Sequence, residues 1–126
     1  MKHLISGLIM LASGQAAAAI PLIQAYPSCD LQTQRSVKEA SGGSMQDPRE
    51  VHISVRVNVL QADISTARKA RYLTETQADT MWQQAARVRG DATHFVKKQG
   101  FLSAAERASY DRELDELATR LCHRVK

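Results

Sequence analysis

From residue 75 to residue 99 the apolar positions follow a helical period. Ala78, Met81, Ala85, Val88, Ala92 and Phe95 recur at intervals of three, four, three, four and three, which lines one narrow seam of an α-helix and packs it against another. Tyr110, Leu114, Leu117, Leu121 and Val125 form a second inward stripe and predict a helix over about 104–124. Between these helices and residue 47 the pattern supports two readings. Val51, Ile53, Val55, Val57 and Val59 alternate with polar residues over 51–59, the period of a strand. Ile53, Val57, Leu60, Ile64 and Ala67 also fall at spacings of three and four, and this longer register favours a helix over about 48–71.

The chain marks the starts of all three segments. Leu73-Thr74-Glu75-Thr76-Gln77 and Leu102-Ser103-Ala104-Ala105-Glu106 each put a hydroxyl at the cap position and a Gln or Glu three residues on. In that arrangement the hydroxyl of Thr74 or Ser103 accepts from an orphan backbone N–H, while Gln77 or Glu106 reaches back to the cap. Asp47-Pro48-Arg49-Glu50 is a third start, with Asp47 as cap, Pro48 where its missing N–H costs nothing, and Glu50 at the box position. Gly100 closes the middle helix, and Phe101 with Leu102 returns apolar surface around the turn. Short connections make neighbouring helices antiparallel. The expected fold is therefore all-α: a helical domain over 47–126, built as an antiparallel three-helix bundle of about 48–71, 75–99 and 104–124.

Residues 20–46 read as a leader segment. Pro21 to Pro27 is expected to be extended, because Pro fixes its own φ and biases its predecessor away from helix. Ser28 to Ala40 is expected to be a short helix, capped by Asp30 or Ser28, with only Leu31 and Val37 to offer a core face. Ser41-Gly42-Gly43-Ser44 reads as a joint.

Residues 1–19 have the layout of an export signal: Lys2 and His3, an apolar run from Leu4 to Gly14, and small residues at Ala17 and Ala19. Cleavage is expected before Ile20, with the bond after Ala18 nearly as suitable. The apolar run spans about 16 Å as a helix, against a hydrocarbon core of roughly 30 Å. Gln15 stands where a lipid-anchored protein would need Cys. The expectation is a periplasmic protein with no stable membrane insertion after cleavage.

An oxidising compartment changes the reading of Cys29 and Cys122, the only two cysteines, which become a disulfide by default. They stand 93 positions apart, so closing that loop stabilises the fold by up to roughly 4.5 kcal/mol on chain-entropy grounds. This pair lacks the close spacing of a redox motif, and Cys122-His123 lacks the first cysteine of a haem attachment site. No cofactor is expected. Removing Lys2 with the signal leaves 16 basic against 13 acidic side chains, a mild excess that does not suggest a nucleic-acid partner.

The candidate chemistry is sparse. His52, His94 and His123 include no pair four residues apart, so they are read as separate surface residues and no metal site is expected. No nucleophile elbow occurs, and Asp111, Glu113, Asp115 and Glu116 are read as a solvated helix face laced by Arg112–Glu116 and Glu116–Arg120 pairs. No enzyme is expected. Arg68, Lys69 and Arg71 complement a helix C-terminus, and together with Arg87, Arg89, Lys97 and Lys98 they make a positive surface for an anionic partner. Trp82 flanks the Met81 seam and either covers the edge of the fold or anchors a partner, while Tyr72 and Phe101 stand near opposite helix ends. Trp82, Tyr72, Phe101, Arg87 and Arg89 are the candidate protein-binding residues.

At Leu73-Thr74-Glu75-Thr76-Gln77 the chain resembles the L-T-x-x-Q motif of the Spy and CpxP family of small periplasmic helical proteins, which carry two such motifs. Leu102-Ser103-Ala104-Ala105-Glu106 is the looser second match, with Ser for Thr and Glu for Gln. The resemblance covers about ten residues. It implies a chaperone or envelope-stress adaptor that holds client proteins on a basic, partly apolar concave face, often as a homodimer. A long-range disulfide and a compact helical pattern depart from that family. The alternative expectation is a periplasmic inhibitor or immunity protein that blocks a hydrolase or toxin.

Overall fold

A computed structural model of the chain describes residues 20–38 and 44–126. The expected export signal, the end of the Ser28–Ala40 helix and the Ser41–Gly43 part of the joint lie outside the described residues. Among those described, all regular structure is helical. The elements are α1 (Leu22–Ala25), a 3₁₀ turn (Pro27–Cys29), α2 (Leu31–Ser36), α3 (Pro48–Lys69), α4 (Glu75–Gln99) and α5 (Ala104–Arg124). Each of α3, α4 and α5 packs against the other two. No described helix is long and apolar enough to cross a membrane.

The valine-rich stretch 51–59 is helix, not strand. Asp47 accepts a 2.9 Å bond from the Glu50 backbone N–H, and Pro48 holds the first helical position, so the start is nucleated before the β-branched run begins. Ile53, Val57, Leu60, Ile64 and Ala67 are fully buried, as their stripe requires. The strand-like alternation has another origin, because His52, Arg56, Gln61 and Asp63 are buried too. α3 is enclosed on more than one side, and these four polar residues face partners instead of water.

The core joins that stripe to Ala78, Met81, Ala85, Val88 and Ala92 of α4 and to Tyr110, Leu114, Leu117 and Leu121 of α5, with Val125 beyond its end. Phe95 departs from its expected place. It is 37% exposed, sitting in the last turns of α4 beside the His94 ring. Leu73 and Leu102, the first residues of the two repeated phrases, are both buried. Phe101 stays 52% exposed, so only Leu102 returns apolar surface to the core at that turn.

The three helix starts differ in how their acidic or amide partners are used. Thr74 and Gln77 form the complete reciprocal box, with bonds of 3.1 and 3.0 Å. Ser103 accepts from the Glu106 N–H, but Glu106 does not return to the cap backbone; its carboxylate takes the Ser103 hydroxyl and the Gln99 amide. Glu50 likewise leaves the cap and accepts from the Thr93 hydroxyl of α4 at 3.1 Å. Asp47 gains a second role, because its carboxylate also accepts from the Leu102 N–H at 3.3 Å. The start of α3 is thereby tied to the α4–α5 turn.

The ends of α3 and α4 are closed by left-handed residues. Gly100 adopts φ 90° and bonds Val96 O at 2.7 Å. α3 ends at Lys69, two residues short of the expected boundary, and Arg71 takes φ 67° where Gly is usual. The bonds from Tyr72 N to Ala67 O and from Arg71 N to Arg68 O complete a Schellman closure there.

The leader is neither extended nor one helix. α1 occupies Leu22–Ala25, and Asp30 splits the rest by capping α2, where it accepts from the Thr33 N–H at 3.1 Å. Gln34, not Val37, is the buried residue of α2. The Cys29–Cys122 disulfide, with Cα atoms 5.9 Å apart, holds this segment against the last turns of α5. The Ser28 N–H donates 2.8 Å to the buried Asp63 of α3, fixing the same segment from the other side.

Candidate functional site

The largest departure from the sequence reading is an ionic cluster between α2, α3 and α5. His52 and Arg56 stand one turn apart on α3, and Asp111 and Asp115 stand one turn apart on α5. The two ladders meet. Arg56, 3% exposed, donates to Asp111 Oδ1 at 2.7 Å and to Asp115 Oδ1 at 2.8 Å. Arg35 of α2 reaches Asp115 Oδ2 through Nε at 2.9 Å, and Arg107 approaches Asp111 Oδ2 at 3.5 Å. His52, also 3% exposed, places Nε2 2.8 Å from Asp111 Oδ1 and Nδ1 2.8 Å from Val37 O.

Asp111 and Asp115 are thus not on a solvated face, and His52 is not a surface residue. Among the described residues, Arg107–Asp111 forms an ion pair within α5, in place of the expected Arg112–Glu116 and Glu116–Arg120 lattice. Burial pushes the Asp111 carboxyl up, but the hydrogen bonds and charges of His52 and Arg56 outweigh it and hold the group below the usual carboxylate range. An ionised Asp111 and a carbonyl are both acceptors. Both ring nitrogens of His52 are within hydrogen-bond distance of one of them, so the imidazole bridges α5 and the Val37 carbonyl. The cluster ties α2, α3 and α5 together through two aspartates that each meet two or more basic groups, with the buried Arg56–Asp115 pair at its centre, which suits it to fixing helix register. Removing one member of such a buried pair typically costs about 3–5 kcal/mol.

The five candidate binding residues do not converge. Trp82, 39% exposed, lines a groove between α3 and α4 with Ile64, Ser65, Arg68, Glu75, Ala78 and Asp79. Arg89 lies on this α3-facing side of α4, bonded to Asn58 and, at 3.1 Å, to Gln61 of α3. Burial lowers its pKa from the ordinary arginine value. Arg87 lies on the other side of α4, in a groove with Asp91, Glu113, Glu116 and Arg120. Tyr72 is exposed at the α3–α4 turn, and Phe101 at the α4–α5 turn. A single basic-aromatic patch made of these five is therefore not present. The helical period alone could have separated Arg87 from Arg89, because neighbours two apart do not share a helix face.

A third groove, of about 490 Å³, opens beside the first repeated phrase. Leu73, Thr76, Gln77, Thr80, Met81 and Gln84 line it from the α4 side, and Arg120, His123 and Arg124 line it from α5. The three histidines stay apart: His52 in the ionic cluster, His94 against Phe95, and His123 in this groove. No protein-family model matches the chain, and no characterised protein or solved structure matches it either.

Proposed function

We propose that the chain is an exported, periplasmic, non-enzymatic protein that works by binding other proteins, in a chaperone-like or envelope-stress role of the kind its Leu-Thr-x-x-Gln phrase resembles. In this reading α3, α4 and α5 are an antiparallel three-helix bundle, and the disulfide-held leader braces it. The observation that carries the proposal is Trp82, a large amphipathic side chain left 39% exposed beside a groove that contains Ile64 and Ala78 and is rimmed by Arg68, Glu75 and Asp79. An exposed Trp over such a groove suits a protein contact. Suppression of light scattering by citrate synthase diluted from denaturant, an aggregating client that needs no reductant, tests it. The oxidised protein is expected to slow aggregation, and Trp82→Ala to weaken that effect several-fold at unchanged melting temperature. An inert protein that also fails to retain any stoichiometric partner from periplasmic extract would overturn the reading.

A second reading, a periplasmic inhibitor or immunity protein, is favoured by rigidity. The Cys29–Cys122 bond and the Arg35–Arg56–Asp111–Asp115 cluster pin one conformation, and preorganisation strengthens binding to a single target. One tight equimolar partner, with no effect on client aggregation, would select it.

A further inference from the structure

We infer that the groove between the start of α4 and the end of α5 receives an acidic, amphipathic segment of the partner protein, an inference that rests on the protein-binding reading above. Charge balance separates this groove from its neighbours. In the Trp82 groove, Arg68 lies 3.6 Å from Glu75 and Asp79 adds a second carboxylate, so the lining carries its own counter-charge. In the groove beside Arg87, the carboxylates of Asp91, Glu113 and Glu116 outnumber the guanidiniums of Arg87 and Arg120, the second of which stands on the ridge shared with the third groove. The third groove has Arg120, His123 and Arg124 and no carboxylate in its lining. Among the described residues neither arginine is in an ion pair, and Arg120 donates only to the neutral Gln84 amide at 3.2 Å.

The rest of the lining is uncharged, with the apolar Leu73 and Met81 at its base and Thr76, Gln77, Thr80 and Gln84 along the α4 edge. A partner that fits must bring apolar side chains for the base and carboxylates for the α5 wall. An amphipathic helix with leucines on one face and glutamates beside them has both. Its acidic side chains would meet exposed guanidiniums without carboxylate partners at the rim, where charge complementarity selects the partner and speeds encounter.

Fluorescence anisotropy at low salt, with a labelled leucine-glutamate amphipathic peptide and its leucine-lysine counterpart, tests the inference on the oxidised protein. The acidic peptide is expected to bind, more weakly as salt rises, and the basic one not to bind. Arg120→Glu together with Arg124→Glu should weaken binding at least tenfold, whereas Arg112→Glu, the same charge change on an exposed position of α5, should not. Melting curves establish that each variant is folded. In NMR spectra the acidic peptide should shift the Met81 methyl resonance and leave the Trp82 indole unmoved. Equal binding of both peptides, no binding, or a shift confined to Trp82 would each overturn the inference. A shift confined to Trp82 leaves the wider protein-binding reading standing. Absence of binding removes that reading too only if client aggregation is also unaffected.

Discussion

Single residues decide where each helix begins, and three similar phrases end up unequal. Thr74 satisfies the Gln77 N–H and is itself served by the Gln77 side chain, so both donors at that start are paired within the phrase. Ser103 satisfies the Glu106 N–H in the same way, but Glu106 spends its carboxylate on the Ser103 hydroxyl and on Gln99 across the turn. Thr74→Ala and Ser103→Ala should each cost about 1 kcal/mol, roughly 4–8 °C in melting temperature for a domain near this size. The two differ at the partner: Gln77→Ala should act only through the α4 cap, whereas Glu106→Ala should also loosen the α4–α5 turn. Hydrogen exchange at Phe101 and Leu102 would show that difference. The hydroxyls and their spacing were legible in the sequence. The long reach of Asp47 to Leu102, and the left-handed Arg71 at a position where Gly is usual, were not, because neither follows from local residue preference.

At the scale of the element, α4 and α5 were readable because most of the apolar residues of each fall on one buried stripe. The helix of α3 was readable too, from its cap and its longer stripe, but the burial of His52, Arg56 and Asp63 was not, since their partners are distant in sequence. Arg56 meets Asp111 and Asp115 over 55 and 59 positions, and Asp63 meets Ser28 over 35. No local pattern encodes such pairings. Asp111 of α5, which faces α3, and the buried Asp63 of α3 should respond to acid in opposite ways. The pKa of Asp111 is lowered in the folded state, so its contribution to stability is present above the ordinary carboxylate value of about 3.9 and is lost as pH falls through its lower folded value. Burial raises the Asp63 carboxyl, against the opposing bond from the Ser28 N–H, so the folded protein loses stability as pH rises from that ordinary value through the raised one. Asp111→Asn should therefore lower the melting temperature at pH 7, with the deficit closing in strong acid. Asp63→Asn should raise it at pH 7, keeping an acceptor for the Ser28 N–H and offering a donor to the Ser28 hydroxyl, which lacks a partner. That gain should vanish below about pH 4. Melting curves across pH 2–8 would expose a reversed sign for either variant.

For the whole molecule, the open question is whether residues 20–38 belong to the same cooperative unit as the three long helices. They are held by covalent and ionic means more than by apolar burial. Tyr26 is the buried hydrophobic residue of this segment, while Leu22, Cys29 and Leu31 only pack partly against the core. The other attachments are the bonds of Ser28 to Asp63, Arg35 to Asp115 and His52 to Val37, together with Arg107 to the Arg35 carbonyl at 2.8 Å. The α3–α4–α5 core, by contrast, is a continuous apolar interior. A segment fixed mainly at such points should detach locally once its covalent tie is gone. Cys29→Ser is therefore expected to lower the melting temperature, by no more than roughly 4.5 kcal/mol of stability, with the helical circular dichroism of α3 to α5 kept. Hydrogen exchange should show the amides of Ser28, Thr33 and Gln34 losing protection, while those of Ala85 and Leu117 keep theirs. Protection lost equally along α4 and α5 would mean that the leader is part of the folding core. An unchanged melting temperature would mean that the bridge contributes nothing, and the ionic contacts to α3 and α5 would then have to hold the leader alone.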